Sequence, residues 1–423
     1  MTPTQTLRAY LNSHPRPSTI RPSSAVILPV VVIGLCKHGL YLTRNFSRQG
    51  VPVIAIVADM SAPSARTRYS YKIPCDDPNG SPLITTLHAL MSALPPGTPI
   101  FPTNDKMVDV LIAHYEELSS HYRLPFPNGD LVTRLKDKAT LDQLAAEAGL
   151  PVPRSHLING PEGLARHQDA IQFPVAVKPT LPMSSFKSRR CDSLEELKAQ
   201  VALSSALSEP LIVQEWIEGD DRAIVFGAYY IDPSGQCIAQ YAGRKLMSYP
   251  SLTGHAAATE SADIGERLAE GSKFLRDMGY WGLCSIEYKG TKPGNARFIE
   301  VTVGRGDWWI MCCGINGVDL PMAAYNALTG TGIPFSNKQI SKYVWHDIDH
   351  ALPVLIENFA KGRWSARGCI QYILRPKKDA IFDLRDLGPF LHSFPRYIFG
   401  PLKKIYKSLF KARPTPTLEA DRS

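Results

Sequence analysis

Residues Tyr280–Trp309, YWGLCSIEYKGTKPGNARFIEVTVGRGDWW, hold two alternating runs about a turn, and few arrangements satisfy both. Leu283 to Lys289 and Arg297 to Val303 alternate with the two-residue period of a strand, and Pro293-Gly294-Asn295 supplies turn chemistry between them. In the first run Ser285 and Glu287 share one face, with Ile286 and Tyr288 on the other. In the second, Glu300 and Thr302 share a face, against Ile299, Val301 and Val303. A turn centred on Pro293-Gly294 sets Glu287 opposite Glu300. Facing side chains stand roughly 5 Å apart, where like charges are unfavourable. At an effective dielectric near 20 the repulsion is about 3 kcal/mol. A cation turns that repulsion into attraction. Two carboxylates suit magnesium, which takes one or two of them and fills its octahedron with water and nucleotide phosphates. The alternative is a pair of glutamates on the wet side of a two-layer sheet, and neighbouring segments decide between the two.

Val30 to Asp59 gives an apolar strand, a turn at Gly34 and Gly39, an amphipathic helix through Arg48, a stop at Gly50 and a second apolar strand. That is a β-α-β unit of the doubly wound kind. Its glycines are spaced G-x-x-x-x-G, so the dinucleotide fingerprint is missing and a nicotinamide-dependent oxidoreductase rests on this unit alone. Residues 99–118 offer a strand, a turn at Asn104 and Asp105, and a helix from near Lys106, which either turn residue can cap. Lying beyond the end of such a strand, the same two residues are also placed to touch a substrate. Arg134 to Leu150 reads as one helix stopped by Gly149 and followed by Pro151 and Pro153. FPVAVKP (173–179) puts Lys178 at the exit of an apolar strand, where a lysine serves as a point charge for phosphate. A helix over Asp192 to Leu203 follows. Two strands about Gly219 come next, then a strand over 237–245 ending in Arg244-Lys245.

Composition sets the bounds. The chain has 423 residues, 44% hydrophobic and 20% charged, as in a globular protein of two or three domains. The strongest apolar run, Ala25 to Leu35, is broken by Pro29 and suits a buried strand rather than a membrane span. A net charge of +8, with no helix-borne basic stripe in mid-chain, does not call for nucleic acid. The eight cysteines form no CxxC pair and read as reduced thiols of a cytosolic protein. His346 and His350 are spaced for one helix face. A metal site there competes with a helix start capped by Asp347 or Asp349. Residues 1–24, rich in Ser, Thr, Pro and Arg, read as a disordered leader, with a transit or signal segment as the alternative. Phe390 to Arg413 mixes large apolar residues with six Lys or Arg and no acid. Its basic amphipathic helix suits an anionic membrane surface or a partner, against packing on the chain's own body.

DK (Asp137-Lys138), VAVKP with Lys178, VQEWIEG (213–219), RK (Arg244-Lys245), IEY with Glu287 and FIEVTVGR with Glu300 follow one another in the order found in the ATP-grasp superfamily. Over roughly residues 30–330 the chain resembles the carboxylate–amine ligases of that superfamily, of the D-aspartate ligase type. The resemblance implies an α/β fold: a Rossmann-like domain (25–130), then a two-lobed α+β ATP-grasp domain (131–335; small lobe about 150–215, large lobe about 216–335). A C-terminal helical extension (336–423) would follow. It implies ATP and Mg2+, with Lys138 and Lys178 on the phosphates and Gln214, Glu215 and Ile217 lining the adenine slot largely through backbone groups. Asp221 would grip the ribose. Glu287 and Glu300 would hold the metal, Thr302 standing where the family has an asparagine. Arg305, one residue late against the family's E-x-N-x-R, would neutralise the acyl phosphate with Lys245 assisting. The loop Leu181 to Lys187 replaces a glycine-rich one, leaving serine hydroxyls, backbone amides and Lys187 to cover phosphates. Asp307, Trp308 and Trp309 follow Arg305 closely and are placed to shape a substrate pocket, with a core or lid role as the alternative for the two tryptophans. The implied activity is ATP-dependent joining of a small carboxylate to an amine, with no nucleic-acid partner, in the cytoplasm or at the inner face of a membrane. A homodimer is the common arrangement for such enzymes. The competing reading is a nucleotide-binding protein of the same fold without ligase activity.

Overall fold

Val30–Ile33 is apolar on every side chain and buries completely as β1, the centre of a five-stranded parallel sheet. The computed structural model describes residues 26–394 together with Leu7, Ala9, Tyr10, Leu11 and Ser13. The sheet runs β3 (Tyr71–Pro74), β2 (Val53–Val57), β1, β4 (Thr98–Pro102), β5 (Tyr122–Arg123), every neighbour parallel. The helix Lys37–Arg48 leaves β1 through a tight turn: Gly34 has φ +85°, and a Cβ on Gly39 would stand 2.1 Å from the Gly34 carbonyl oxygen.

Two antiparallel sheets follow. The smaller, β6 (Ser155–Ile158), β9 (Leu211–Glu215), β7 (Val175–Pro179), β8 (Arg189–Cys191), carries the helices Gly160–His167 and Leu194–Ala206 over a core of its own that includes Ile158, Val177, Leu197 and Val213. The larger has seven strands, in the order β14 (Arg297–Val303), β13 (Gly282–Lys289), β10 (Ile224–Ile231), β11 (Cys237–Tyr249), β12 (His255–Ser261), β15 (Val344–His346), β16 (Lys377–Asp379). Its core is not separate from that of the parallel sheet. One apolar cluster joins Val31, Ile33 and Met107 to Ile286, Tyr288 and Val303, and a second joins Val30, Val32 and Phe46 to Phe226, Tyr230 and Trp309. The mixed α/β class expected from the sequence holds.

Several local expectations need correction. The single helix over Arg134 to Leu150 is two, Leu131–Lys136 and Lys138–Glu147. The break falls at Asp137, whose side chain accepts from the Thr140 N–H at 2.9 Å and caps the second helix. In β14 the alternation breaks at Ile299: Glu300 pairs with Glu287 but Phe298 pairs with Tyr288, leaving Ile299 as a bulge. Phe298 takes the core position against Tyr288 and Phe274, so Ile299 turns to the Glu300 side. β11 continues four residues beyond Lys245. His346 lies on β15 and His350 in the helix Ile348–Ala360, so they share no helix face, and Asp347 provides the cap position. Among the described residues the expected helical extension contains strands as well as helices, because β15 and β16 complete the edge of the large sheet. The basic segment 395–413 lies outside the described residues. No helix among those described is long and apolar enough to cross a membrane.

The segment after β16 is fastened to the parallel-sheet unit by one buried ion pair. Arg44 Nε donates to Asp386 at 2.9 Å, Thr67 Oγ1 donates to the same carboxylate at 2.6 Å, and Arg44 Nη1 reaches the Ile381 carbonyl at 2.9 Å. Removing one partner strands a buried charge. Arg44→Met is therefore expected to lower unfolding free energy by about 3–5 kcal/mol, measured by urea denaturation; a loss below about 1 kcal/mol contradicts this role.

Candidate active site

The hairpin of β13 and β14 brings Glu287 and Glu300 face to face and sets Ser285 opposite Thr302. Lysines from several segments answer the paired charge. Lys245 crosses from β11, almost fully buried, and its Nζ lies 2.7 Å from a Glu287 oxygen and 5.4 Å from the centre of the Trp308 ring. Lys187, from the loop before β8, brings its Nζ to 3.7 Å from Glu300. Burial works to raise the Glu300 pKa, yet Lys187, then Lys138, Lys245 and Lys178, hold it down to about 2. The converse appears on the lysines. Burial lowers Lys138 and Lys178, with Glu300 opposing, while Glu300 and Glu287 raise Lys187 against its own burial.

These groups border a cleft between the two antiparallel sheets, lined by Lys178, Gln214, Trp216, Lys245, Glu287 and Glu300 among others. Gln214 is buried and bridges, accepting from Lys178 Nζ at 2.9 Å and donating to Asp142 at 3.1 Å. Its side chain thus aims a lysine. Lys289 lies over the Trp216 ring at 4.3 Å, and burial, followed by the nearby Lys178, brings its pKa down to about 8. The open volume is about 80 Å3, well short of the few hundred typical for a bound small molecule. Lys187 and the segment Leu252 to Gly254 narrow it. The loop 181–188 is held by Glu209, which accepts from the Ser185 backbone N–H at 3.0 Å and from its hydroxyl.

Lys138, Thr302 and Arg305 border an adjoining cavity of about 30 Å3 that shares Glu300 with the cleft. Lys138 sits in the first turn of its helix, with its backbone N–H on the Thr180 carbonyl at 2.9 Å. Arg305 is held from both sides: Nη2 donates to Asp105 at 2.8 Å and Nη1 to Asp307 at 2.7 Å, while its buried Nε has no partner. Asp307 is driven well below the carboxylate range, its burial outweighed by Arg305 and then His38, whose Nδ1 is 3.7 Å away.

Of the residues singled out in the sequence, Lys178, Gln214, Glu215, Ile217, Lys245, Glu287 and Glu300 meet in the cleft, with Lys138, Thr302 and Arg305 beside it. Asp221 borders neither. It is buried, accepts from the Ser248 backbone N–H at 2.8 Å and leaves its other oxygen without a partner. The Glu215 carboxylate turns away to Arg154 at 2.8 Å, leaving its backbone to the cleft. Trp309 is core, and Trp308 packs between Phe226 and Trp345. Lys289, at a strand end on the cleft, and Asp142, which accepts from Gln214 behind it, were not singled out, because only the third dimension brings them to the site. Asp105, one of the two turn residues, proves to be a partner of Arg305, while Asn104 caps the helix.

Two carboxylates on neighbouring strands, with a hydroxyl two residues along, form a hard oxygen set that fits Mg2+. Among the described residues no group of three or more His, Cys, Asp or Glu gathers to hold a metal. Water and phosphate oxygens would complete such an ion.

No family model matches the chain. It is 23% identical over 232 residues to D-aspartate ligase of Enterococcus faecium, covering 50% of this chain and 55% of that enzyme. It is 26% identical over 214 residues to D-alanine–D-alanine ligase of Francisella tularensis subsp. tularensis, covering 48% and 58%. The chain thus spans little more than half the length of the curated relatives it matches. Among solved structures, the biotin carboxylase domain of Hydrogenobacter thermophilus 2-oxoglutarate carboxylase, a dimer with MgADP, ADP and bicarbonate, aligns at TM-score 0.61 and 15% identity over 75% of this chain and 73% of that one. An ADP complex of N5-carboxyaminoimidazole ribonucleotide synthetase aligns at 0.60 and 14%, covering 79% and 86%. L-amino acid ligase from Bacillus licheniformis aligns at 0.54 and 15%, covering 73% and 77%. At such identities the structural likeness is one of fold: the chain has the mixed α/β, ATP-grasp-type fold of these neighbours, and over about half its length its sequence is similar to two amino-acid ligases.

Proposed function

We propose that the chain is an ATP- and magnesium-dependent ligase that activates a small carboxylate as its acyl phosphate and joins it to an amine. The observation that carries this reading is the facing pair Glu287 and Glu300 among lysines from four separate segments. A carboxylate is a poor electrophile because its leaving group would be oxide. In the first step a substrate carboxylate oxygen attacks the terminal phosphorus of ATP and ADP leaves. In the second, the amine nitrogen attacks the carbonyl carbon, phosphate leaves with the C–O electron pair, and the nitrogen loses a proton.

The protein's share is placement and charge. Lys178, aimed by Gln214, and Lys138, at a helix start, hold phosphate oxygens. Trp216, Ile217 and the backbone of Glu215 line the base slot. Glu287 and Glu300 would hold magnesium, which would supply charge neutralisation to the phosphate oxygens. Lys187 and Lys245, now paired with those glutamates, turn to phosphate. Because Lys187 occupies the cleft, nucleotide entry displaces it. The loop carrying it then closes over the reacting groups and keeps water from the acyl phosphate. Arg305, clamped by Asp105 and Asp307, acts from beside Thr302.

That same clamp favours a second reading, a nucleotide-binding protein without turnover, since two carboxylates already neutralise the arginine. An ADP-release screen of amino acids and small amines against candidate acids separates the two. The ligase releases ADP only with acid, amine and magnesium together, and Glu300→Gln, still folded, lowers the rate at least about 100-fold. Nucleotide binding without ADP release on any pair selects the second reading. An unchanged rate in Glu300→Gln removes the metal role.

A pH signature follows from the same charges. Glu300 is held below the ordinary carboxylate value of about 4.3, so its stabilising effect is complete above that value and is lost as pH falls toward about 2. The stability difference between wild type and Glu300→Gln, read by urea unfolding, should therefore shrink from pH 6 to pH 3. A difference independent of pH contradicts the lysine cluster.

A further inference from the structure

Alternate residues of β11 look opposite ways. Lys245 borders the cleft, while Arg244 and Leu246 border a second cavity of about 590 Å3 behind the sheet, under the helix Ala366–Leu374. Its lining contains three arginines, Arg222, Arg244 and Arg375, and one carboxylate, Glu260. Glu260 is buried on β12 directly across from Arg244, and both its oxygens are engaged. One accepts from Arg244 Nε at 3.0 Å and from Nη2; the other accepts from Arg375 Nη1. One carboxylate therefore fixes two arginines from distant segments side by side. Arg222 is fixed separately, lying 5.3 Å over the Trp364 ring with Nε 2.9 Å from Asp220, a residue outside the cavity.

The floor is apolar. Leu246, Trp364 and Tyr372 are buried there, the two rings edge to face at 5.9 Å. Leu374 stands at the rim, 77% exposed. Oriented guanidinium groups suit carboxylate or phosphate oxygens, an aromatic floor suits a ring or short apolar group, and the volume is that of a small-molecule site. The chain's own segment 395–413, with six Lys or Arg and no acid, carries the wrong charge to fill it.

We propose that this cavity binds a small amphipathic anion, a carboxylate or phosphate monoester bearing an aromatic or apolar group, on the face of the large sheet turned away from the nucleotide cleft. The proposal stands independently of the ligase reading, because its readout is binding. Phenyl phosphate, titrated calorimetrically into the full chain without nucleotide and again with ATP and magnesium present, should bind at one site in both and more tightly than inorganic phosphate. Arg375→Gln should weaken it at least about tenfold. Leu374→Glu, a charge placed on an exposed rim position that leaves the fold intact, should weaken it similarly, whereas Leu374→Lys should preserve or tighten it. Displacement by ATP, no binding to wild type at millimolar concentration, or equal affinity in Leu374→Glu and Leu374→Lys would overturn the assignment.

Discussion

Two like charges held opposite each other across an antiparallel hairpin set the terms for the rest of this structure. Glu287 and Glu300 are fixed by register rather than by side-chain choice, because slipping either strand by one residue would send its apolar set out of the core. The bulge at Ile299 shows how strongly this is enforced: the strand takes on an extra residue so that Phe298 stays buried while Glu300 keeps its partner. The repulsion is answered by lysines borne on a loop, a helix start and two strands. Charge balance in the free protein therefore rests on groups that a bound nucleotide would call away. On the proposed reading, that exchange of partners would let one arrangement be stable empty and receptive to a triphosphate.

The shared cores give this arrangement its rigidity. The parallel sheet buries both faces, and each face belongs to an apolar cluster that also includes residues of the seven-stranded sheet. Asp105, at the end of the parallel-sheet unit, and Asp307, after β14, grip Arg305 between them. The guanidinium thereby ties the two sheets together beside the glutamates. The small four-stranded sheet keeps a separate core, and on the proposed reading its loop and Lys187 would give way when the cleft fills.

Much of this was legible in the residues. Period-two alternation located β13 and β14 and the facing glutamates, and the β-α-β pattern located the parallel sheet. Apolar runs ending in lysine located β7. What stayed hidden has physical causes. A bulge leaves no mark in composition, since Phe298 and Ile299 are both apolar and either satisfies the pattern. Asp137 breaks a helix whose propensity is otherwise continuous, and its capping role shows only in the bond to Thr140. Gln214 reads as a strand residue near an adenine slot, yet its buried side chain serves to aim Lys178. The clamp on Arg305 draws Asp105 from 200 positions earlier in the chain, a separation no local pattern reports.

The most direct measurement is the anomalous signal of manganese in crystals of the chain grown with Mn2+ and a non-hydrolysable ATP analogue. The account predicts a manganese peak bridging the Glu287 and Glu300 carboxylates, with analogue phosphates on Lys138 and Lys178 and Lys187 moved from Glu300. A nucleotide bound with its metal elsewhere, or an analogue seated while both glutamates keep their lysine partners, would contradict it.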